Sequence, residues 1–212
     1  MRAYVGDDSM WKPMLGYFTP GAPLYTEEGG EILKGPRKLD AAKRLLAESG
    51  YLGEPITLMA AQDIPAFKAW GDVTVDLLKH LDMAVDFVAL EFASARVLQK
   101  SPPQQGGWHM WVTGYSGVEC ADPTQRFVRA YGDSFANGWA NNPQIEAEVA
   151  AWYDATSLDE EKTIVRRLNK LGLDHVVYAP LGMYLKYFAW RRNVSGIVPA
   201  PLPLFWGVSK TA

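Results

Sequence analysis

The chain has 212 residues, 48% hydrophobic and 21% charged, enough apolar material for one sizeable core. With 24 acidic against 21 basic residues the net charge is -3, which argues against a nucleic-acid partner; the pairs Arg166-Arg167 and Arg191-Arg192 are too small to make a phosphate-binding face. The single cysteine, Cys120, excludes an internal disulfide and a cysteine-based structural zinc site, and no run is long enough for a transmembrane helix.

Residues 1–38 are rich in Gly and Pro and read as an irregular lead-in segment rather than an independent domain. Asp40 is the expected N-cap of a helix through Ser49, with Ala42, Leu45, Leu46 and Ser49 on one face and Gly50 as the left-handed stop. Pro55 to Ala60 alternates as a strand through Ile56, Leu58 and Ala60. A helix over Ile64 to Leu81 follows, with Pro65 in its first turn and Phe67, Trp70, Thr74, Leu77, Leu78 and Leu81 at helical spacing. Val85, Phe87 and Ala89 form a second strand, so that strand, helix and strand make a right-handed parallel unit.

A short helix covers Ala93 to Lys100 and is stopped by Ser101-Pro102-Pro103. Trp108 to Thr113 is a third strand, followed by the loop Gly114 to Ala121; Asp122-Pro123 then starts another helix as N-cap and first residue. The turn-rich stretch 137–143 leads into a helix over Gln144 to Ala155. Ser157 and Glu160 make a capping box for a last helix lined by Ile164, Val165, Leu168 and Leu171. Met183 to Trp190 and Val194 to Val198 are expected as closing strands, and the proline-rich 198–203 as the chain leaving the domain. The order predicts an α/β fold with a mixed, partly parallel sheet flanked by helices.

Common catalytic signatures are missing. There is no phosphate loop, Ser116 lacks the Gly two residues on that a nucleophile elbow needs, and His80, His109 and His175 carry no metal-ligand spacing. Glu119, Asp122 and His109 are the residues a small hydrolase or transferase would use, although Asp122 is better explained as a helix cap. No metal or cofactor is implied. The enriched chemistry is aromatic, with 8 Trp, 10 Tyr and 8 Phe. Trp70 and Trp152 sit on predicted helices and read as core. Trp108, Trp111, Tyr115 and Trp139 lie at a strand or in Gly-rich loops, where ligands of open α/β sheets collect.

Several segments together resemble a known family. Asp40-Ala41-Ala42-Lys43-Arg44-Leu45-Leu46-Ala47-Glu48-Ser49-Gly50-Tyr51 is similar to the Asp-x-x-Lys-x-Leu-Leu-x-x-x-Gly-Tyr helix of the family 5 solute-binding proteins, which deliver peptides, nickel chelates and related solutes to ABC importers. The elements that follow match in order, as do Asn142-Pro143 before a helix, Asp159-Glu160-Glu161-Lys162, Tyr178-Ala179-Pro180-Leu181-Gly182 and Arg191-Arg192-Asn193-Val194-Ser195-Gly196.

The resemblance implies a passive binding lobe and no enzyme. Family chains are roughly twice this length or more, beyond the usual size of one domain, and begin with a secretory signal. The opening Met-Arg-Ala-Tyr-Val-Gly-Asp-Asp has no such signal, so a C-terminal fragment is expected, its intact protein periplasmic. Residues 39–198 would be the ligand-binding lobe and 199–212 a tail returning to the absent first lobe. A peptide or similar small solute and an ABC permease are the implied partners. The ligand-binding residues are expected to be Trp108, Trp111, Tyr115, Glu119 and Trp139. Peptide binders of the family carry an Asp in the loop after the Trp-containing strand; here Tyr115 stands in its place, and a neutral phenol is a poorer partner for an ammonium group. The alternatives are the hydrolase above and a protein-interaction module, because the face turned to the absent lobe should be apolar and could dimerise without physiological meaning.

Overall fold

The computed structural model describes residues 1–124, 138–198, 200 and 202–211. In chain order it contains α1 (Arg2–Val5), β1 (Trp11–Lys12), α2 (Leu39–Glu48), β2 (Ile56–Ala61), α3 (Pro65–His80), β3 (Val85–Leu90) and α4 (Phe92–Leu98). Then come β4 (Met110–Val112), α5 (Pro143–Tyr153), α6 (Leu158–His175), β5 (Met183–Tyr184), β6 (Val194–Ser195) and β7 (Ser209–Lys210). Most of the helix expected from Asp122-Pro123, and Pro199 and Pro201 of the proline-rich exit, lie outside the described residues.

The central sheet is parallel throughout, in the order β3-β2-β4. Strand β2 is in the middle because it can be buried on both sides: Leu58, Met59, Ala60 and Ala61 have no exposed surface. Leu58 and Ala60 pack with Phe67, Trp70 and Leu78 of α3, while Met59 packs with Ala95 of α4 and with Trp108. The two helices therefore cover opposite faces, as alternation along a strand requires. Helix α3 comes close enough that a Cβ on Gly71 would lie 2.7 Å from the Ala60 Cβ, so only glycine fits there. The expected α/β architecture is present. The antiparallel component stands apart as two-residue pairs, β1 with β5 and β6 with β7.

A second core joins parts distant in sequence. Ile145 and Val149 of α5 and Val165, Leu168 and Leu173 of α6 close around Tyr17, Phe18 and Leu24. Tyr17 and Phe18 have no exposed surface, so the Gly/Pro-rich segment supplies the middle of this core while remaining largely irregular. Asn169 on α6 ties it down: its Oδ1 accepts from the Tyr17 N–H at 2.8 Å and its Nδ2 donates to the Glu28 carbonyl at 2.7 Å. The Tyr17 hydroxyl lies 2.7 Å from the Gly172 carbonyl, and its ring stacks on Tyr178 at 4.2 Å.

Several expectations need correction. Helix α2 starts at Leu39, because the Ala42 N–H already bonds to the Lys38 carbonyl; Asp40 is inside the first turn, where it meets the positive end of the helix dipole, and does not cap. No residue of α2 is fully buried; Leu39, Ala42 and Leu46 are half-buried and Leu45 is exposed, so its apolar face is only partly covered by the described residues. Gly50 does take the left-handed stop, at φ 80°. Around α6, Ser157 caps as expected, but Glu160 reaches back to the N–H of Thr156 instead of that of Ser157. The closing strands are cut to two residues each, since β1 and β7 offer only two paired positions. Leu185, Tyr187, Phe188 and Trp190 are consequently exposed.

Candidate functional site

The carboxyl ends of β2, β3 and β4 open onto three connections: Gln62 to Ile64, Glu91, and the loop after Val112. The first two are joined, for Gln62 N donates to the Leu90 carbonyl at 2.7 Å and Phe92 N to Asp63 Oδ1 at 2.8 Å. Phe67 and Phe92 meet beside them with ring centres 5.9 Å apart. Gly114 passes so close that a Cβ there would stand 3.1 Å from the Phe67 ring, which a larger residue would have to displace.

The loop from Gly114 to Cys120 is held from two sides. From within, Glu119 Oε2 accepts from both the N–H and the hydroxyl of Ser116, each at 2.8 Å. From outside, Thr19 N donates to the Cys120 carbonyl at 2.9 Å and Thr19 Oγ1 to the Gly117 carbonyl at 2.7 Å. Thr19 is a positioning residue that sequence reading missed. No local signal could have marked it, because its partners are about a hundred residues away. Tyr115 projects from this loop with 41% of its surface exposed.

Behind the loop the tryptophans form one group. Trp108 is buried, its indole N–H donating to the Gln99 carbonyl at 3.1 Å. Its ring meets Trp111 at 5.9 Å and Trp139 at 5.8 Å, and both of those rings are half-buried. Three of the five expected ligand residues are thus linked through Trp108, which touches the other two. Tyr115 and Glu119 stand on the loop at the end of the same strand.

The site offers little for acid–base or nucleophilic chemistry. His109 Nδ1 accepts from the Thr57 N–H at 3.0 Å and so extends the β2–β4 ladder. Asp122 Oδ1 accepts from the N–H of Thr124 at 2.8 Å and from its hydroxyl, so the carboxylate is engaged locally. Glu119 is folded onto Ser116, and no hydrogen bond joins His109, Glu119 and Asp122 to one another. The thiol of Cys120 is pushed up to about 12, by burial first and then by Glu119, so it stays protonated. Burial also lifts the Tyr178 hydroxyl, with Cys120, Tyr17 and Tyr115 adding to it. Among the described residues no group of three or more His, Cys, Asp and Glu is placed to hold a metal ion, and no helix is long and apolar enough to cross a membrane.

No protein-family model matches the chain. In sequence it is 28% identical, over 213 residues and 99% of its own length, to the probable peptide ABC transporter periplasmic-binding protein y4tO of Sinorhizobium fredii. It spans 40% of that relative's length. In fold it is similar to a dipeptide-binding protein from Pseudoalteromonas sp. SM9913 solved with Met-Leu, at TM-score 0.72 and 16% identity, covering 98% of this chain and 41% of the other. The ABC transporter substrate-binding protein CtaP of Listeria monocytogenes gives TM-score 0.75 at 14% identity, over 86% of this chain and 37% of the other. In sequence the chain is similar to a part of a peptide ABC transporter periplasmic-binding protein, and in fold to parts of ABC transporter substrate-binding proteins.

Proposed function

We propose that this chain is the C-terminal lobe of the substrate-binding component of an ABC importer, a passive binding module that captures a peptide or similar small solute. The observation that carries this reading is a sequence match along 99% of the chain to 40% of a peptide-transporter binding protein. The intact protein would hold its solute between this lobe and a second one, close by hinge motion, and present it to a membrane permease from the periplasm. Residues 39–198 would be the body of the lobe and 199–212 a tail returning to its counterpart.

The structure supports the reading in two ways. Tyr115 and Glu119 stand on the loop at the carboxyl end of β4, where ligands of open α/β sheets collect, while Trp111 lies within that strand and, with Trp139, packs on Trp108 just before it. In addition, Leu181, Leu185, Tyr187, Phe188, Trp190, Phe205 and Trp206 are all exposed, more large apolar side chains than a self-sufficient surface carries in one stretch of chain. Such a surface suits packing against a second lobe, and in its absence would drive a dimer without physiological meaning.

Co-purification tests the proposal. The protein extended to the full length of its relatives should carry a solute identifiable by mass spectrometry. This chain alone, which buries only one side of the ligand, should bind the same solute at least a hundredfold more weakly by calorimetry. Tight stoichiometric binding by the chain alone would sink the two-lobe reading.

A further inference from the structure

The loop that carries Tyr115 and Glu119 is built into both cores of the protein. At its start Gly114 lies against the Phe67 ring, part of the core between α3 and the sheet. At its end Cys120 is buried in the other core, among Tyr17, Phe18 and side chains of α5 and α6. Between these ends the loop is tied to itself. The Cys120 N–H donates to the Ser116 carbonyl at 3.3 Å, the Ala121 N–H to the Val118 carbonyl at 3.2 Å, and Ser116 to the Glu119 carboxylate. Bonds of this kind fix the loop's shape and leave open where it sits.

Its place is set at Gly117, midway between Tyr115 and Glu119. The Thr19 hydroxyl donates to the Gly117 carbonyl at 2.7 Å. A Cβ added to Gly117 would meet only the Thr19 methyl and hydroxyl, at 3.3 and 3.6 Å, so on that side the loop rests on Thr19. Thr19 is in turn held two residues back, where the Tyr17 N–H bonds to Asn169 and the Tyr17 hydroxyl to the Gly172 carbonyl, both on α6. The Thr19 N–H, 2.9 Å from the Cys120 carbonyl, ties the end of the loop to the same segment. A loop that is ordered beforehand loses less freedom when a ligand binds, and so binds more tightly.

We propose that the ligand loop is preset, before any solute arrives, by a linkage running from α6 through Tyr17 and Thr19 to the Gly117 carbonyl. The Thr19 hydroxyl is its positioning group, on which Tyr115 and Glu119 depend for their place. This rests on the solute-capture reading and adds its regulation: the site at the end of the sheet is governed by the α5–α6 core, through a segment with no regular structure of its own.

The test is amide hydrogen exchange of this chain without solute, read by mass spectrometry on peptides covering 114–121 and 160–173. Thr19→Val keeps the outline of the side chain and loses only the hydroxyl, whereas Thr19→Ser keeps the hydroxyl and loses the methyl. Thr19→Val should speed exchange over 114–121 by about two- to tenfold, the range of one ordinary hydrogen bond, and leave 160–173 unchanged. Thr19→Ser should exchange as the native chain does. Loop exchange that Thr19→Val leaves alone, or that Thr19→Ser raises equally, overturns the proposal. So does a rise shared with 160–173, because the hydroxyl then serves the fold as a whole. A second arm reads capture: the protein extended to the length of its relatives should retain less solute on purification with Thr19→Val than with Thr19→Ser. Equal retention overturns the positioning role and leaves capture standing. No solute from any of them, the native protein included, removes the capture reading on which the proposal rests.

Discussion

Asn169→Leu should cost this protein about 2–4 kcal/mol, because one carboxamide joins the N-terminal segment to α6. Leucine has the same branched outline but is bulkier, so the change leaves no cavity and the lost hydrogen bonds are joined by some overpacking at a site with no exposed surface. The Tyr17 N–H, buried beneath a ring with no exposed surface, would lose its 2.8 Å bond to Oδ1 with no water to replace it. An unpaired buried donor costs about 1–3 kcal/mol. The Glu28 carbonyl would lose its 2.7 Å bond from Nδ2, but Glu28 is exposed and water can reach it, so that loss is about 0.5–1.5 kcal/mol. Against a total stability of roughly 5–15 kcal/mol the sum is large. Urea unfolding followed by far-ultraviolet circular dichroism should show the midpoint falling with the slope unchanged, because the segment and the helical pair share one core. A loss under about 0.5 kcal/mol refutes the reasoning, since two bonds of this kind cannot vanish unnoticed. A shallower slope refutes it differently, by showing the segment detaching while the rest stays folded.

Three further outcomes follow from particular contacts. Val176 ends α6 at φ 52°, a left-handed conformation that a β-branched residue adopts only under strain, and it is 68% exposed. Val176→Gly should therefore raise stability by about 1 kcal/mol in the same urea assay, and a loss would mean that the side chain is making contacts worth more than the strain. Tyr17 and Cys120 are both raised to about 12 by burial, from ordinary values of 10.0 and 9.0. The folded state keeps protons that the unfolded state releases, so stability is intact below pH 9 and falls from there toward 12, by roughly 1.4 kcal/mol per unit for each group fully titrating. Cys120→Ala should delay the onset to about pH 10, readable as urea midpoints across the alkaline range. Tyr115→Ala, at an exposed loop position, should change stability by no more than about 0.5 kcal/mol. The same variant should weaken solute binding by the extended protein at least tenfold in calorimetry.

Much of the architecture is written in local pattern. Pro65 at the head of α3, Asn142-Pro143 before α5, Ser157 before α6 and Gly50 after α2 act through their own backbone geometry, so each was legible where it stands. The apolar run of β2 needs only the neighbouring residues to declare a strand. The elements that went astray are those whose existence depends on a partner. The stretch from Met183 to Trp190 has the composition of a strand, yet only Met183 and Tyr184 find a ladder partner, in a segment that gave no strand signal. Helix α2 has an apolar face that the described residues cover only in part.

The candidate site divides the same way. Strand-end position and aromatic side chains singled out Trp108, Trp111, Tyr115, Glu119 and Trp139 from sequence alone, because residue type and proximity to a predicted strand are local facts. The tertiary structure decided that Trp108 meets Trp111 edge-on and Trp139 at a tilt, that Thr19 pins the loop from nearly a hundred residues away, and that the Gln99 carboxamide is buried without a partner. Sequence marked aromatic and polar side chains on or near a strand. Which of their polar atoms are already bonded depends on packing between distant segments, and only the folded chain brings those segments together.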